Sequence, residues 1–514
     1  MSLNYITLTG TLPGAGGAVL TAALSGWVAD PTDDLLIPPV PDPVTLANAT
    51  VNGVACGTFS LPGLMANDNA DIPAGTYWVL TVKGISGVAL WTQNVVLNFA
   101  SGATQDISGL AAYVPATQVT GVMPLPSGTA QPGQFPVVNE AATGTAWAFA
   151  QSYQALTPLA AALGNRQFAR CNIVCLGDSI TEGQHVTAFD NRYLGRLRDV
   201  LRTRFPTPGL SGGGRGFLGV ASSGETSFTW PSTIAGSPGS GATLGPKSQF
   251  VNLSSGATTV TWNLNGDSAD INWVQVFGGG TFGWQVDGGS VTNVATGGGG
   301  TVDGKVTHVP LGSAGAHTLK VSWVSGATTS ITGVTEYNGD YTSGIQVHDA
   351  GHFGWQTSNW TGVLATGTAG PAAAIAALNP AAIVICLGTN DQDVNVTPAT
   401  YAANLKQIIT SLKAALTAPY PAFILAMLPP RTLQSTYTYP WAQYVTQAWA
   451  IAAADTSGPG GTSLVSVMDF TMGPRIPGAD TDAYGFWQSG DNVHPSNLGH
   501  QAIGDMLAGY LACA

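Results

Sequence analysis

Residues 171–183 read Cys-Asn-Ile-Val-Cys-Leu-Gly-Asp-Ser-Ile-Thr-Glu-Gly. An uncharged, mostly apolar run of six that ends at a glycine has the pattern of a strand buried on both faces. The Gly177-Asp178-Ser179 that follows reads as a turn into a helix. Downstream, Tyr193, Leu197, Val200 and Leu201 share one face of a helix over about 190–204, with five arginines mostly elsewhere on it. The same alternation continues as strand 382–387, helix 400–417, strand 422–428, helix 440–454, strand 464–469 and helix 496–512. Apolar strands alternating with amphipathic helices specify a doubly wound parallel α/β sheet.

Two stretches do not fit that pattern. Residues about 207–340 are rich in Gly, Thr, Ser and Val and have no helical period. Runs such as Asp270-Ile-Asn-Trp-Val-Gln-Val-Phe alternate as strands. We read an all-β module inserted into the α/β domain, which then comprises 165–206 and 341–514. Residues 1–113 alternate short β-like runs with turn clusters, among them a rigid Pro-rich loop at 38–43, and read as a small β-sandwich. Residues 114–164 are read as a Pro/Gly/Ala-rich linker ending in a short Ala/Leu helix. The fold expected is therefore multidomain: sandwich, linker, and an α/β domain carrying a β insert.

Composition narrows the function. Charged residues are 9% of 514, the net charge is −12, and Lys83 is the one Lys or Arg before Arg166. A nucleic-acid partner is excluded, because no basic patch is available to neutralise phosphate. Met1-Ser-Leu-Asn-Tyr lacks the basic and apolar regions of a secretory signal, and the apolar runs are too short to cross a bilayer. The five cysteines (Cys56, Cys171, Cys175, Cys386, Cys513) are an odd and sparse set, and Cys171, Cys175 and Cys386, in or beside apolar runs, are expected as buried free thiols. No metal site is expected from Cys171-x-x-x-Cys175, which has no matching pair nearby. Asp391-Gln-Asp393 and Asp30 with Asp33-Asp34 are read as loop carboxylates, since neither has calcium-loop spacing. No phosphate-binding Gly-rich loop is present.

Chemistry concentrates at the carboxyl ends of the predicted strands, where open α/β sheets bind ligands. Ser179 stands there after the first strand. It is not in a Gly-x-Ser-x-Gly elbow, because position 181 is Thr. A serine hydroxyl needs a base, and the base needs an orienting group. Asp491-Asn-Val-His494 supplies both from one turn before the last helix. Gly388-Thr-Asn390-Asp follows another strand, and its Asn amide can donate to an oxyanion. His185 and His352 are possible cleft-rim residues and stay unassigned.

Taken together, Gly177-Asp-Ser179, Gly388-Thr-Asn390-Asp and Asp491-x-x-His494 resemble the SGNH (GDSL-type) hydrolases, in the family's order. The resemblance covers about 165–206 and 341–514. It implies a cofactor-independent carboxylester hydrolase with Ser179 as nucleophile, His494 as base and Asp491 as its orienter. It also implies an oxyanion hole made of the Ser179 N–H, the Gly351 N–H and the Asn390 side chain. The Gly351 block, Ile345-Gln-Val-His-Asp-Ala-Gly351-His-Phe-Gly354, departs from the family, with His348 or Asp349 where an Asn is common. Separately, Gly57-Thr-Phe-Ser-Leu-Pro, an acidic loop at 67–71 and Gly75-Thr-Tyr-Trp-Val-Leu resemble minor tail proteins of actinobacterial phages. That resemblance implies a virion tail location, synthesis in the host cytoplasm, other tail proteins as partners, a homotrimer, and an acylated glycan or lipid of the host surface as substrate. The rival readings are a receptor-binding tail protein that recognises without cleaving, and a secreted carbohydrate esterase with accessory β-modules. Trp230, Trp262, Trp273, Trp284 and Trp323 of the insert are read as core rather than sugar-stacking residues.

Overall fold

The computed structural model describes residues 5–13, 18–25, 43–51, 54–65, 77–83, 89–97, 104–106, 134–138, 145–149 and 153–513, except 211, 225, 226, 429–436, 471–484 and 492. The loop at 38–42, the acidic loop at 67–71, the carboxylates Asp30, Asp33 and Asp34, residues 107–113 and linker residues 114–133 lie outside the described residues. The chain divides into two units, 1–128 with 136–147, and 129–135 with 148–514.

In the first unit, two four-stranded sheets share one core. Trp78, Leu80 and Val82 alternate inward along Tyr77–Lys83 and meet Leu8, Phe59, Leu61 and Leu64 of the opposite sheet. Within the segment read as linker, Gln134–Val138 and Thr145–Phe149 pair as a two-stranded sheet.

The second unit is built on five parallel strands: β1 (Arg170–Gly177), β2 (Gly344–Gly351), β3 (Pro380–Cys386), β4 (Ala422–Met427) and β5 (Val465–Asp469), in the order β2-β1-β3-β4-β5. Period-two alternation sorts each strand between two cores. Cys171, Ile173 and Cys175 pack against helices Tyr193–Arg204 and Asn497–Leu511. Val174 and Leu176 face the other way, toward Pro398–Ala415 and Trp441–Ala454. Both faces are covered, which is why the strands read as continuous apolar runs. Cys171, Cys175 and Cys386 are buried free thiols. Helix Thr157–Asn165 places Leu159 and Leu163 in the first core, so it is part of this domain and not, as its composition indicated, the end of the linker.

The insert forms a largely antiparallel sheet of ten strands within 216–337, around the long strands Thr259–Phe277 and Val302–Ser325. Trp262 is fully buried in its core, Trp230 nearly so, and Trp273, Trp284 and Trp323 pack against it. The insert leaves the five-stranded parallel sheet intact, yet it is continuous with the same domain. Phe189, ahead of helix Tyr193–Arg204, sits in the insert's core, edge-on to Trp230 at 5.2 Å. Gly216 (φ +78°) runs so close to β2 that a Cβ there would collide with the Val347 carbonyl. Arg202 clamps both ends of the insertion, donating to the Gly214 carbonyl at 2.9 Å and pairing with Asp340 at 2.9 Å.

Candidate active site

The strand order reverses direction between β1 and β3, and this is where a doubly wound sheet opens a crevice at its carboxyl edge. Gly177 and Cys386, the last residues of the two strands, are register partners. The chain after each strand therefore enters the same crevice. After β1, Asp178 turns the backbone and its Oδ1 accepts the Ile180 N–H at 2.9 Å. Ser179 is the first residue of a one-turn helix, Ser179–Glu182, closed by Gly183 at φ +97°. Ser179 is 5% exposed.

Ser179 Oγ lies 2.8 Å from His494 Nε2, and His494 Nδ1 lies 2.8 Å from Asp491 Oδ2. The other carboxylate oxygen of Asp491 accepts the N–H groups of Val493 (2.8 Å) and His494 (3.0 Å). Burial pushes the Asp491 carboxyl up. The ring and backbone hydrogen bonds outweigh it and hold the group below its usual range. An ionised Asp491 places the His494 proton on Nδ1 and leaves Nε2 free to accept from the serine. Ser496 caps the last helix by accepting the Gly499 N–H, which anchors the loop that carries the base.

Asn390 is the second residue of the short helix Thr389–Asp393 after β3, and its Nδ2 donates to the Trp355 carbonyl at 3.0 Å. One of the two amide hydrogens remains for another acceptor. The expectation for Gly351 is corrected. Its N–H donates to Asp349 Oδ1 at 2.8 Å, and the residue is packed under the Ser179 helix, where a Cβ would meet Glu182 N. The Asp349 that departs from the family pattern thus consumes the donor assigned to the oxyanion. Gly354, the second glycine of the same turn, has an N–H without a partner among the described residues and open space beside it. Asp391 is likewise not a loop carboxylate. It is fully buried and accepts from the backbone and hydroxyl of Thr357.

Two features escaped the sequence reading. His185 Nε2 lies 2.8 Å from Asp491 Oδ2, so a second histidine shares the oxygen that orients the base. Beneath Ser179 is a buried set of four charged side chains: Glu182, Lys247, Asp349 and Arg192. Lys247, supplied by the insert, is 2.9 Å from Glu182 and 3.9 Å from Asp349, and Arg192 is 2.6 Å from Asp349. Glu182 also accepts from the Ser222 hydroxyl, from the backbone and hydroxyl of Ser223, and from Phe353 N. Burial raises the Glu182 carboxyl, and Lys247 with the Ser223 hydrogen bonds more than reverses this. One carboxylate three residues from Ser179 therefore joins the nucleophile helix, the insert and the glycine turn. A local sequence signal was absent, because a lone Lys in a β-rich insert reads as solvated.

Residues 322–502 match the family model described as the GDSL-like lipase/acylhydrolase family. No curated protein matches the chain. Among solved structures, the chain is similar to a family two carbohydrate esterase from Clostridium thermocellum, an active-site mutant with bound cello-oligosaccharide (14% identity, 55% of this chain and 98% of that one, TM-score 0.26). It is similar to a family two carbohydrate esterase from Cellvibrio japonicus (12% identity, 59% and 98%, TM-score 0.23). It is also similar to a G-D-S-L family protein from Desulfitobacterium hafniense (17% identity, 32% and 81%, TM-score 0.24). The matched acylhydrolase segment, together with the hydrogen-bonded Ser179–His494–Asp491 set, supports a carboxylic ester hydrolase.

Proposed function

We propose that this chain is a serine ester hydrolase of the SGNH type that works through an acyl-enzyme. The observation that carries the proposal is the continuous relay Ser179 Oγ, His494 Nε2, His494 Nδ1, Asp491 Oδ2, with 2.8 Å at both hydrogen bonds. As Ser179 attacks an ester carbonyl, its proton passes to His494 Nε2, and the imidazolium is stabilised by the ionised Asp491. His494 returns that proton to the departing alcohol. Water then repeats the sequence on the acyl-enzyme and releases the acid. The developing oxyanion is held by the Ser179 N–H, by the free amide hydrogen of Asn390 and by the N–H of Gly354, which takes the place of Gly351.

The substrate class we propose is an acylated glycan or lipid of a bacterial envelope, with the chain carried on a phage tail as a homotrimer. This rests on the tail-protein resemblance of the first 150 residues and on their near lack of charge. A receptor-binding protein that does not cleave would have no need of a complete relay. The test is release of the acid from host envelope material by the wild type and by Ser179→Ala. Retained hydrolysis in Ser179→Ala would overturn the assignment. Binding by both proteins without acid release by either would favour the recognition reading.

A further inference from the structure

His185 has no place in the relay, yet it is held in a conformation that needs explaining. Its φ is +71°, in the left-handed region that a β-carbon disfavours, and its ring is turned onto Asp491. Asp491 Oδ2 lies 2.8 Å from His185 Nε2 and 2.8 Å from His494 Nδ1, and the three donor atoms all fall within 4.8 Å of one another. His185 and Asp491 are half-buried, so the cluster is open to solvent. Two imidazoles and one carboxylate with an open fourth position are the donor set of a three-ligand zinc site.

We infer that His185, Asp491 and His494 form a binding site for a zinc ion that switches the esterase off. Zinc bonds of about 2.0–2.1 Å set tetrahedral donor atoms about 3.3 Å apart. The two nitrogen–oxygen contacts must therefore open by roughly half an ångström, within the reach of the loop that carries Asp491 and His494. The inhibitory step is a tautomer change. To ligate through Nδ1, neutral His494 gives up the proton it donates to Asp491 and carries its single proton on Nε2 instead, by exchange with solvent. Nε2 then donates to Ser179 Oγ and cannot accept from it, so the serine has no base. His185 ligates in the same way, with Nε2 free and its ring proton on Nδ1. Calcium and magnesium, which prefer six or more oxygen donors, are not bound.

The inhibition rests on the esterase reading; the binding does not, and the test separates them. Zinc chloride is titrated calorimetrically into the full-length Ser179→Ala chain, where turnover plays no part. One zinc per chain at micromolar concentration is expected, with binding weakened by about tenfold or more when His185→Gln is added. That variant keeps a hydrogen-bond donor toward Asp491 but loses the imidazole, and His185→Asn is the second choice if melting shows it misfolded. In the wild type, zinc should abolish hydrolysis of p-nitrophenyl acetate, EDTA should restore it, and the His185→Gln chain should resist. The inference is overturned if Ser179→Ala takes up no zinc, or if His185→Gln binds zinc as tightly as its parent. An inactive wild type that still binds zinc through His185 would overturn the esterase reading and leave the metal site standing.

Discussion

Independent constraints converge on one hydroxyl, that of Ser179, the nucleophile of the proposed reaction. β1 delivers it to the crevice, Asp178 turns the backbone, and His494 is held at 2.8 Å by a loop whose own hydrogen bonds end on Asp491. Ser179→Ala is expected to lower hydrolysis of a p-nitrophenyl ester by at least about four orders of magnitude with an unchanged melting temperature. Asn390→Ala should lower kcat by about 10²–10³ with little change in KM, as for other oxyanion donors; steady-state kinetics decides, and a pure KM effect would remove Asn390 from the oxyanion hole. At this scale the sequence was informative where chemistry is local. Asp491 and His494 are three residues apart, and Gly177-Asp-Ser179 is contiguous. It misled at Gly351, because a Gly-x-x-Gly turn offers two N–H groups and only the fold shows that Asp349 occupies the first.

Among the elements, the insert has a role that its texture does not disclose. Lys247 and Glu182 are both fully buried, and each is the other's main compensation for leaving water. Lys247→Met leaves the Glu182 carboxylate uncompensated beneath the nucleophile helix. The expected cost is about 3–5 kcal/mol in denaturant unfolding, together with a fall in kcat, because Glu182 also fixes Phe353 beside Gly354. The double variant Lys247→Met with Glu182→Gln should recover part of both. Equal loss in the single and double variants would show that the pair is not what links insert and active site. Strand and helix types were readable from period-two and 3.6-residue patterns, because both faces of the sheet are covered. The helix at 157–165 was misplaced because its Ala-rich composition is shared with the linker, and only packing distinguishes a docked helix from a connector.

For the whole molecule, acid is expected to destabilise the fold. Burial pushes His348 and His500 down to about 3 and His352 down to about 4, against 6.5 for an ordinary histidine. The unfolded chain therefore binds more protons than the native one below about pH 6.5, and stability falls as pH drops from 7 toward 4. Glu182 and Asp491, held below the usual carboxylate range, act in the same direction as pH falls further. Asp303, pushed up to about 6 by burial, opposes them and offsets a part. Scanning calorimetry between pH 7 and 4 should show a falling melting temperature, and a flat profile would contradict the buried neutral histidines. A fragment spanning 148–514 should keep esterase activity, since the relay, Asn390 and the charge cluster all belong to that unit. Sedimentation of the full chain tests the homotrimer, and a protomer mass of 52.4 kDa in solution would count against it.

The sequence by itself determined the secondary-structure alternation, the class of sheet and the choice of Ser179, His494 and Asp491 as candidates for nucleophile, base and orienter. These depend on periodicity and on short contiguous motifs. The tertiary structure alone decided the strand order that opens the crevice and the capture of Gly351 by Asp349. It also decided the burial of Lys247 against Glu182 and the approach of His185 to Asp491. The strand order, the Lys247–Glu182 pair and the His185–Asp491 approach join residues far apart in the chain, while the Asp349–Gly351 hydrogen bond spans two residues; their energy comes from excluding water around paired charges and hydrogen bonds. That exclusion has no local signature in the sequence.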